Sequence, residues 1–304
     1  MKKIITILLL PFFAIAHPGI GIVKDMKGNI YYTDLEHVWK RLANGKKEIA
    51  VRGVHTHDLF MDANDNLFGQ HSWYYGEAQD KWGHYVWRLN ANGKLDTIIT
   101  PREGFYIENF SFAQDSHGSS FWIKNGKEEQ LMKTFSDGRS IVLSSGNFKD
   151  VQWMRIFNNT LYYVQYGDIF KFANGVVTPF VKNISGTGTH NSIFGIWNDA
   201  SNNLYVANTH KRNIQKIDSS GLVRDFYTSK DDWLITGGLF DKQNKLWVIE
   251  SLKYETRIRE IDPEKKKNLK INSKNKFSIA TIALSALGLL AALWIIPKLF
   301  WRRR

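Results

Sequence analysis

The sequence predicts an all-β chain built as a six-bladed β-propeller, preceded by a signal peptide and followed by a single C-terminal transmembrane helix. Three observations predict it. One phrase, an Asp or its stand-in, a short polar turn and a hydrophobic strand, recurs six times; no convincing helical period interrupts residues 17–263; and an uncharged apolar segment stands at each end. The residues opening the strand are Ile30, Leu67, Ser120, Leu161, Leu204 and Leu246. A spacing of about 40 residues with strand-turn-strand content is the signature of a propeller blade.

Each blade is justified by its residues. Apolar stretches such as Gly21–Val23, Leu59–Met61, Ile193–Ile196 and Gly238–Phe240 precede the Asp and suit an innermost strand buried on both faces. The turn is rich in Gly, Asn and Asp, which tolerate positive φ and bond their own backbone. The second strand is aromatic and β-branched, as in Ile30–Thr33 and Leu204–Val206. Third strands are expected at 38–42, 85–89, 130–134, 169–172, 214–217 and 257–261. A second polar turn follows in five of the copies, with a fourth strand beyond it, as at 95–99 and 222–226. Blade six has to draw its fourth strand from about Asn268–Asn272, or go without.

The net charge of +12 suggests nucleic acid at first sight. Twelve of the 41 Lys and Arg lie outside residues 17–263 (Lys2, Lys3 and ten after residue 264), together with one of the 29 acidic residues. That leaves 29 against 28 in the propeller, so it lacks the basic footprint that phosphate backbones require. Lys2-Lys3, the apolar run 4–15 and the small residues Ala14 and Ala16 read as a secretory signal over residues 1–16; an uncleaved anchor is the other reading. Phe277–Pro297 holds 21 uncharged residues, enough to span a bilayer at roughly 1.5 Å per residue. Trp294 and Trp301 suit the interface, and 298–304 is a basic tail. A Lys-rich juxtamembrane linker, 264–276, precedes the helix, so local charge leaves orientation open; the signal places the propeller outside the cytoplasmic membrane. An apolar segment with an Arg tail also resembles a sorting tail, but no LPxTG or Pro-Glu-Pro stands before it. The absence of Cys excludes thiolate chemistry and fits a bacterial envelope protein large enough to fold without disulfides. Asn109, Asn158 and Asn183 match the glycosylation sequon, a pattern that arises by chance in an Asn-rich chain.

Gly195–Asp218 and Gly238–Asp262 run from Gly through Asp, a polar turn, an apolar-aromatic-Val strand and a closing Asp. This pattern resembles NHL-repeat propellers and their gluconolactonase-like relatives, over about residues 17–263. The resemblance implies the fold, whose members include enzymes, receptors and scaffolds. It also implies a divalent metal on the propeller axis, held by residues five positions before the blade Asp. Here that register holds Ile20, His57, Phe110, Val151, Phe194 and Thr236, and Thr236-Gly237 replaces the Asp-Gly of a late blade. Calcium takes roughly six to eight oxygen ligands, which this set lacks, so no metal and no other cofactor is expected.

Other chemistry is sparse. Gly-x-Ser-x-Gly, His-Glu-x-x-His and a phosphate-binding loop are absent, and Gly186–Gly188 reads as a plain loop. His17, as a mature N-terminus, could chelate copper, but Pro18-Gly19 leads straight into the first strand. His55 and His57 alternate and so face one side of an extended chain. With His190 or Glu108 they could hold zinc through three ligands, similar to His-rich propeller lyases that cleave hydroxyglycine peptides. The plainer reading is a hydrogen-bonded pair at a blade junction.

Strand order puts the inter-blade loops and the loops joining second to third strands on one face, the top. The long irregular segments expected there are 69–84, 100–109 and 182–192. The first carries Trp73, Tyr74, Tyr75 and Trp82, with His71 and His84. Such aromatics suit sugar faces or peptide side chains, or pack on their own hairpin. The candidate ligand-binding residues are therefore His57, Trp73, Tyr74, Tyr75, Trp82, Glu108 and His190. The expected role is non-catalytic binding or scaffolding of a peptide, protein or glycan by a membrane-anchored propeller. The alternative is a metal-dependent hydrolase or lyase. Alkaline carbonate extraction is expected to leave the full-length protein in the membrane pellet; release into the supernatant would rule out 277–297 as a spanning anchor.

Overall fold

The computed structural model describes residues 18–104, 112–186, 192–229, 231–253 and 255–262. The signal (1–16), linker, transmembrane segment, tail and the expected strand at Asn268–Asn272 lie outside the described residues. No helix among the described residues is long and apolar enough to cross a membrane. The chain divides after Ile261, and the propeller is the first of the two units.

Among the described residues, twenty-three strands form six antiparallel sheets with neighbours in simple chain order. Blade 1 contains β1 (Ile22–Lys24), β2 (Ile30–Thr33), β3 (His37–Arg41) and β4 (Lys47–Arg52). Blade 2 contains β5 (Leu59–Met61), β6 (Leu67–Tyr74), β7 (Trp82–Leu89) and β8 (Leu95–Glu103). Blade 3 contains β9 (Phe112–Gln114), β10 (Ser120–Lys124), β11 (Glu129–Thr134) and β12 (Ser140–Gly146). Blade 4 contains β13 (Val151–Phe157), β14 (Thr160–Gln165), β15 (Asp168–Ala173) and β16 (Val176–Val181). Blade 5 contains β17 (Ile193–Asn198), β18 (Leu204–Asn208), β19 (Asn213–Ile217) and β20 (Val223–Thr228). Blade 6 contains β21 (Leu234–Phe240), β22 (Leu246–Leu252) and β23 (Glu255–Ile261), and among the described residues it has three strands where the others have four.

The recurring Asp makes the hairpin. In blades 1, 2, 3, 5 and 6 the turn is Asp, two residues, a left-handed residue, then a return residue. The left-handed positions are Gly28, Asp65, Gly118, Asn202 and Asn244, with φ of 83°, 58°, 79°, 63° and 59°. This is a type I turn closed by a left-handed residue, which explains why Gly, Asn or Asp stands there. The Asp199 carboxylate accepts the backbone N–H groups of Ser201 and Asn203, the Asn203 side-chain amide and the Tyr205 hydroxyl, all at 2.8–2.9 Å. Asp62 and Asp241 repeat the scheme with Asn66 and with Lys245 and the Trp247 indole. Blade 4 lacks the Asp because it turns differently. Asn158 and Asn159 both have positive φ (48° and 60°), a two-residue turn that needs no carboxylate.

The core lies between blades. Leu67 and Trp87 of blade 2 pack on Tyr31, Val38 and Val51 of blade 1, while Trp197 and Tyr205 belong to a cluster shared by blades 4 to 6. The ring closes where β21 meets the chain start. The Thr236 hydroxyl donates to the Gly19 carbonyl at 2.8 Å, Lys24 donates to the Phe240 carbonyl, and Arg41 lies 4.4 Å over the Trp247 ring.

The expected irregular segment 69–84 is instead mostly paired. β6 and β7 extend it as a hairpin with Trp73 opposite Gly83 and Tyr74 opposite Trp82, so only 75–81 is loop. The expected loop 100–109 likewise begins inside β8. In the β6–β7 hairpin, cross-strand aromatic pairing, as of Tyr74 with Trp82, favours extending the ladder.

Asp199→Ala removes a largely buried acceptor from four donors and is expected to destabilise the propeller by about 1–3 kcal/mol in urea unfolding. Although burial alone would raise the Asp199 pKa, the Asn203 and Tyr205 hydrogen bonds and Lys216 hold it below the ordinary carboxylate value. Its contribution is therefore present above the unfolded-state pKa and fades as pH falls through the folded value.

Candidate functional site

The feature that sets blade 2 apart is its long hairpin, and two glycines permit it. A Cβ on Gly69 would sit 2.2 Å from the Trp87 ring, and one on Gly83 would sit 2.3 Å from the Trp73 ring. Each indole thus lies flat over a glycine on the facing strand. Trp87 is buried, and its indole N–H donates to the Thr56 hydroxyl at 3.2 Å. Trp73, one step nearer the tip, remains half-buried.

On the side of the hairpin that turns toward blade 1, the aromatics form a strip. His71 stacks on Trp73 (5.6 Å, 24°) and tilts against Tyr85 (4.8 Å). Tyr75 meets Trp73 edge-on at 5.9 Å and is 44% exposed. On the opposite side Tyr74 packs on Trp82 at 5.0 Å, and its hydroxyl donates to Asp80 at 3.0 Å. The two sequence-based readings of Trp73, Tyr74, Tyr75 and Trp82 therefore merge: the rings pack on their own hairpin and still present a partly exposed aromatic surface.

The strip continues into the funnel mouth. The His55 backbone N–H donates to His71 Nδ1 at 2.7 Å, and Ser72 N–H returns to the His55 carbonyl at 3.0 Å. His55 Nδ1 faces the Leu35 carbonyl at 3.1 Å, where it must donate, so its Nε2 is the acceptor for His57 Nε2–H at 3.0 Å. Burial, and the neighbouring His55 for His71, push the pKa values of His55 and His71 below the ordinary histidine value; the Leu35 hydrogen bond partly opposes this at His55.

His55 and His57 thus form the hydrogen-bonded pair, Nε2 to Nε2, and no three His, Cys, Asp or Glu groups converge on a metal site among the described residues. His190 and Glu108, the proposed third ligands and candidate binding residues, lie outside the described residues. The axial metal register also fails the fit. Ile20, Val151 and Phe194 are buried hydrocarbon, and the Thr236 hydroxyl is committed to the Gly19 carbonyl; Phe110 lies outside the described residues. Immediately after His57, Asp58 instead binds Arg155 of β13 in two parallel hydrogen bonds.

Sequence reasoning missed a second top-face feature. A cleft of about 480 Å³ at the seam of blades 6 and 1 is lined by Asp34, Glu36, Trp233, Glu255, Thr256 and Arg257. Its wall is a charge network. Glu250, fully buried, accepts from Arg257 Nε at 2.7 Å and from Arg259; Arg257 also pairs with Asp231 at 2.9 Å and lies 4.0 Å over Trp233. Alternating Glu250, Arg257 and Arg259 on adjacent strands was the available signal.

No family profile matches the chain, and no curated protein does either. Solved structures do match. A streptogramin B lyase aligns with a TM-score of 0.52 and 12% identity, over 81% of this chain and 94% of its own. A gluconolactonase from Xanthomonas campestris aligns with a TM-score of 0.55 and 12% identity, over 81% and 88%. A chain of a nidogen/laminin complex aligns with a TM-score of 0.53 and 14% identity, over 72% and 82%. The chain thus has the six-bladed propeller fold of gluconolactonase- and lyase-like proteins, and at these identities the likeness is one of fold.

A histidine whose folded pKa is depressed stabilises the fold above its unfolded pKa, near 6.5, and that contribution is lost as pH falls. The thermal midpoint is therefore expected to drop between pH 7 and 5, and His55→Gln to flatten that slope. Glu250→Gln removes the buried charge that two half-exposed arginines share, while Arg257 keeps Asp231, and is expected to cost about 1–3 kcal/mol in urea unfolding.

Proposed function

We propose that this propeller is a non-catalytic binding module that takes a peptide, protein or glycan on its top face, along the blade-2 hairpin. The observation that carries this reading is the strip His71–Trp73–Tyr75 with Tyr85, half-exposed and with Trp73 seated on Gly83, ending beside His55 and His57. Rigid aromatic surface is what binding hot spots are made of, because little side-chain entropy remains to be lost on contact. A ring that already lies on its backbone is pre-organised for a sugar face or an apolar side chain. The failure of the axial register to fit a metal weighs against the metal-dependent hydrolase or lyase reading, which rests on likeness of fold. We further propose that 277–297 anchors the protein, with the propeller on the extracytoplasmic side of the cell membrane. A displayed binding surface suits that placement.

The test is an array of cell-envelope glycans and peptides probed with the purified protein, followed by variants. Tyr75→Ala removes the exposed ring and is expected to weaken the best array ligand at least about tenfold, with the thermal midpoint held. Gly83→Ala drives a methyl into Trp73 and is expected to weaken binding through misplacement of the strip. Trp73→Ala with Trp82→Ala is expected to lower both affinity and the midpoint, since both rings pack on the hairpin. Unchanged affinity in Tyr75→Ala and Gly83→Ala would place recognition elsewhere on the propeller.

A further inference from the structure

Blades 2 and 4 are not neighbours, so a contact between β13 and the residue that leads into β5 reaches past blade 3 on the side of the central opening. One does form. Arg155 of β13 donates Nη2–H and Nη1–H to Asp58 Oδ1 and Oδ2 at 2.6 and 2.7 Å. Both side chains are largely withdrawn from solvent, 18% and 13% exposed. The arginine is held on two further sides. Its Nη1 donates to the Met154 carbonyl at 2.8 Å, and its guanidinium lies 5.3 Å over the Phe60 ring. Phe60 in turn packs against Phe112 of blade 3 at 4.3 Å, so the arrangement ties blades 2, 3 and 4 together from inside the funnel.

We propose that this ion pair organises the axis in place of a metal ion, with the Arg155 guanidinium as the resident cation and Asp58 as its carboxylate. Two observations and the chemistry of the guanidinium converge on it. The register that would supply axial ligands is hydrocarbon or committed hydroxyl at Ile20, Val151, Phe194 and Thr236. Asp58, one residue past that register, has one lone-pair direction on each oxygen taken by the guanidinium and a further one on Oδ1 taken by the Leu59 N–H. A planar guanidinium donates to both oxygens of a carboxylate at once through two parallel hydrogen bonds, which the point charge of a lysine ammonium does not. In a site of low water content such a pair is costly to break, because removing one partner leaves a buried charge alone.

The experiment uses the full-length protein in detergent. Metal content by mass spectrometry is expected to fall well below one ion per chain, and neither EDTA nor millimolar calcium is expected to move the thermal midpoint. Arg155→Met and Asp58→Asn are each expected to lower the midpoint by roughly 6 °C or more. The double variant is expected to recover at least half of the summed loss, the mark of a direct pair. Should Arg155→Met fail to fold, Arg155→Lys keeps the charge without the fork and is expected to melt between wild type and Asp58→Asn. A stoichiometric metal whose removal lowers the midpoint would overturn the proposal, and so would losses that simply add in the double variant.

Discussion

The blade depends on a carboxylate satisfying the backbone of its own turn. Without Asp25, Asp62, Asp115, Asp199 or Asp241 the backbone N–H groups of a tight turn would lose the acceptor that fixes the turn's geometry. With it, the turn geometry is set, the left-handed residue falls at a fixed place, and the register of first to second strand follows. That register decides which side chains of each blade face the next. The inter-blade core of Trp, Tyr and branched aliphatics is therefore downstream of a few short hydrogen bonds at the rim. Blade 4 shows the same requirement met by other means, with two asparagines taking positive φ and no carboxylate.

The propeller then holds two kinds of charge apart. At the turns the carboxylates are consumed by backbone. Within the disc they are consumed by arginine, as at Asp58–Arg155 in the funnel and Glu250 with Arg257 and Arg259 near the seam. Neither arrangement leaves a set of free oxygens, which is what a hard divalent ion demands. Among the described residues the interior carboxylates are thus paired, and the aromatic surface that stands out lies on the blade-2 hairpin.

Much of the architecture was legible because the period is strong and the turn chemistry is local. Six blades, their order, and the second and third strands could all be read from Asp, Gly/Asn and aromatic positions. Less legible was where pairing would stop. Residues 69–84 contain Gly76 and a cluster of polar residues, and so read as loop; the two Gly-opposite-Trp pairs that extend the ladder are cross-strand facts invisible to a linear pattern. For the same reason the pairing of His55 with His71 could not be foreseen, although His55 and His57 facing one side could. Asp58 and Arg155 stand 97 positions apart, and nothing in the spacing of either announces the other.

The seam carries a consequence for how the chain reaches this structure. Within each blade, partners lie a few to a few tens of residues apart, so hairpins can assemble early and independently. The bonds that close the ring, Thr236 to Gly19, Lys24 to Phe240 and Lys242 to Met26, join residues 216 or 217 positions apart. The entropy of closing so long a loop is lost before those bonds return anything, which slows formation of non-local contacts. Ring closure is therefore expected late in folding, after the local hairpins. Until it occurs, the flanks of blades 6 and 1 stand unsatisfied, making the interval before closure the one in which a newly made chain is most exposed to association with its neighbours.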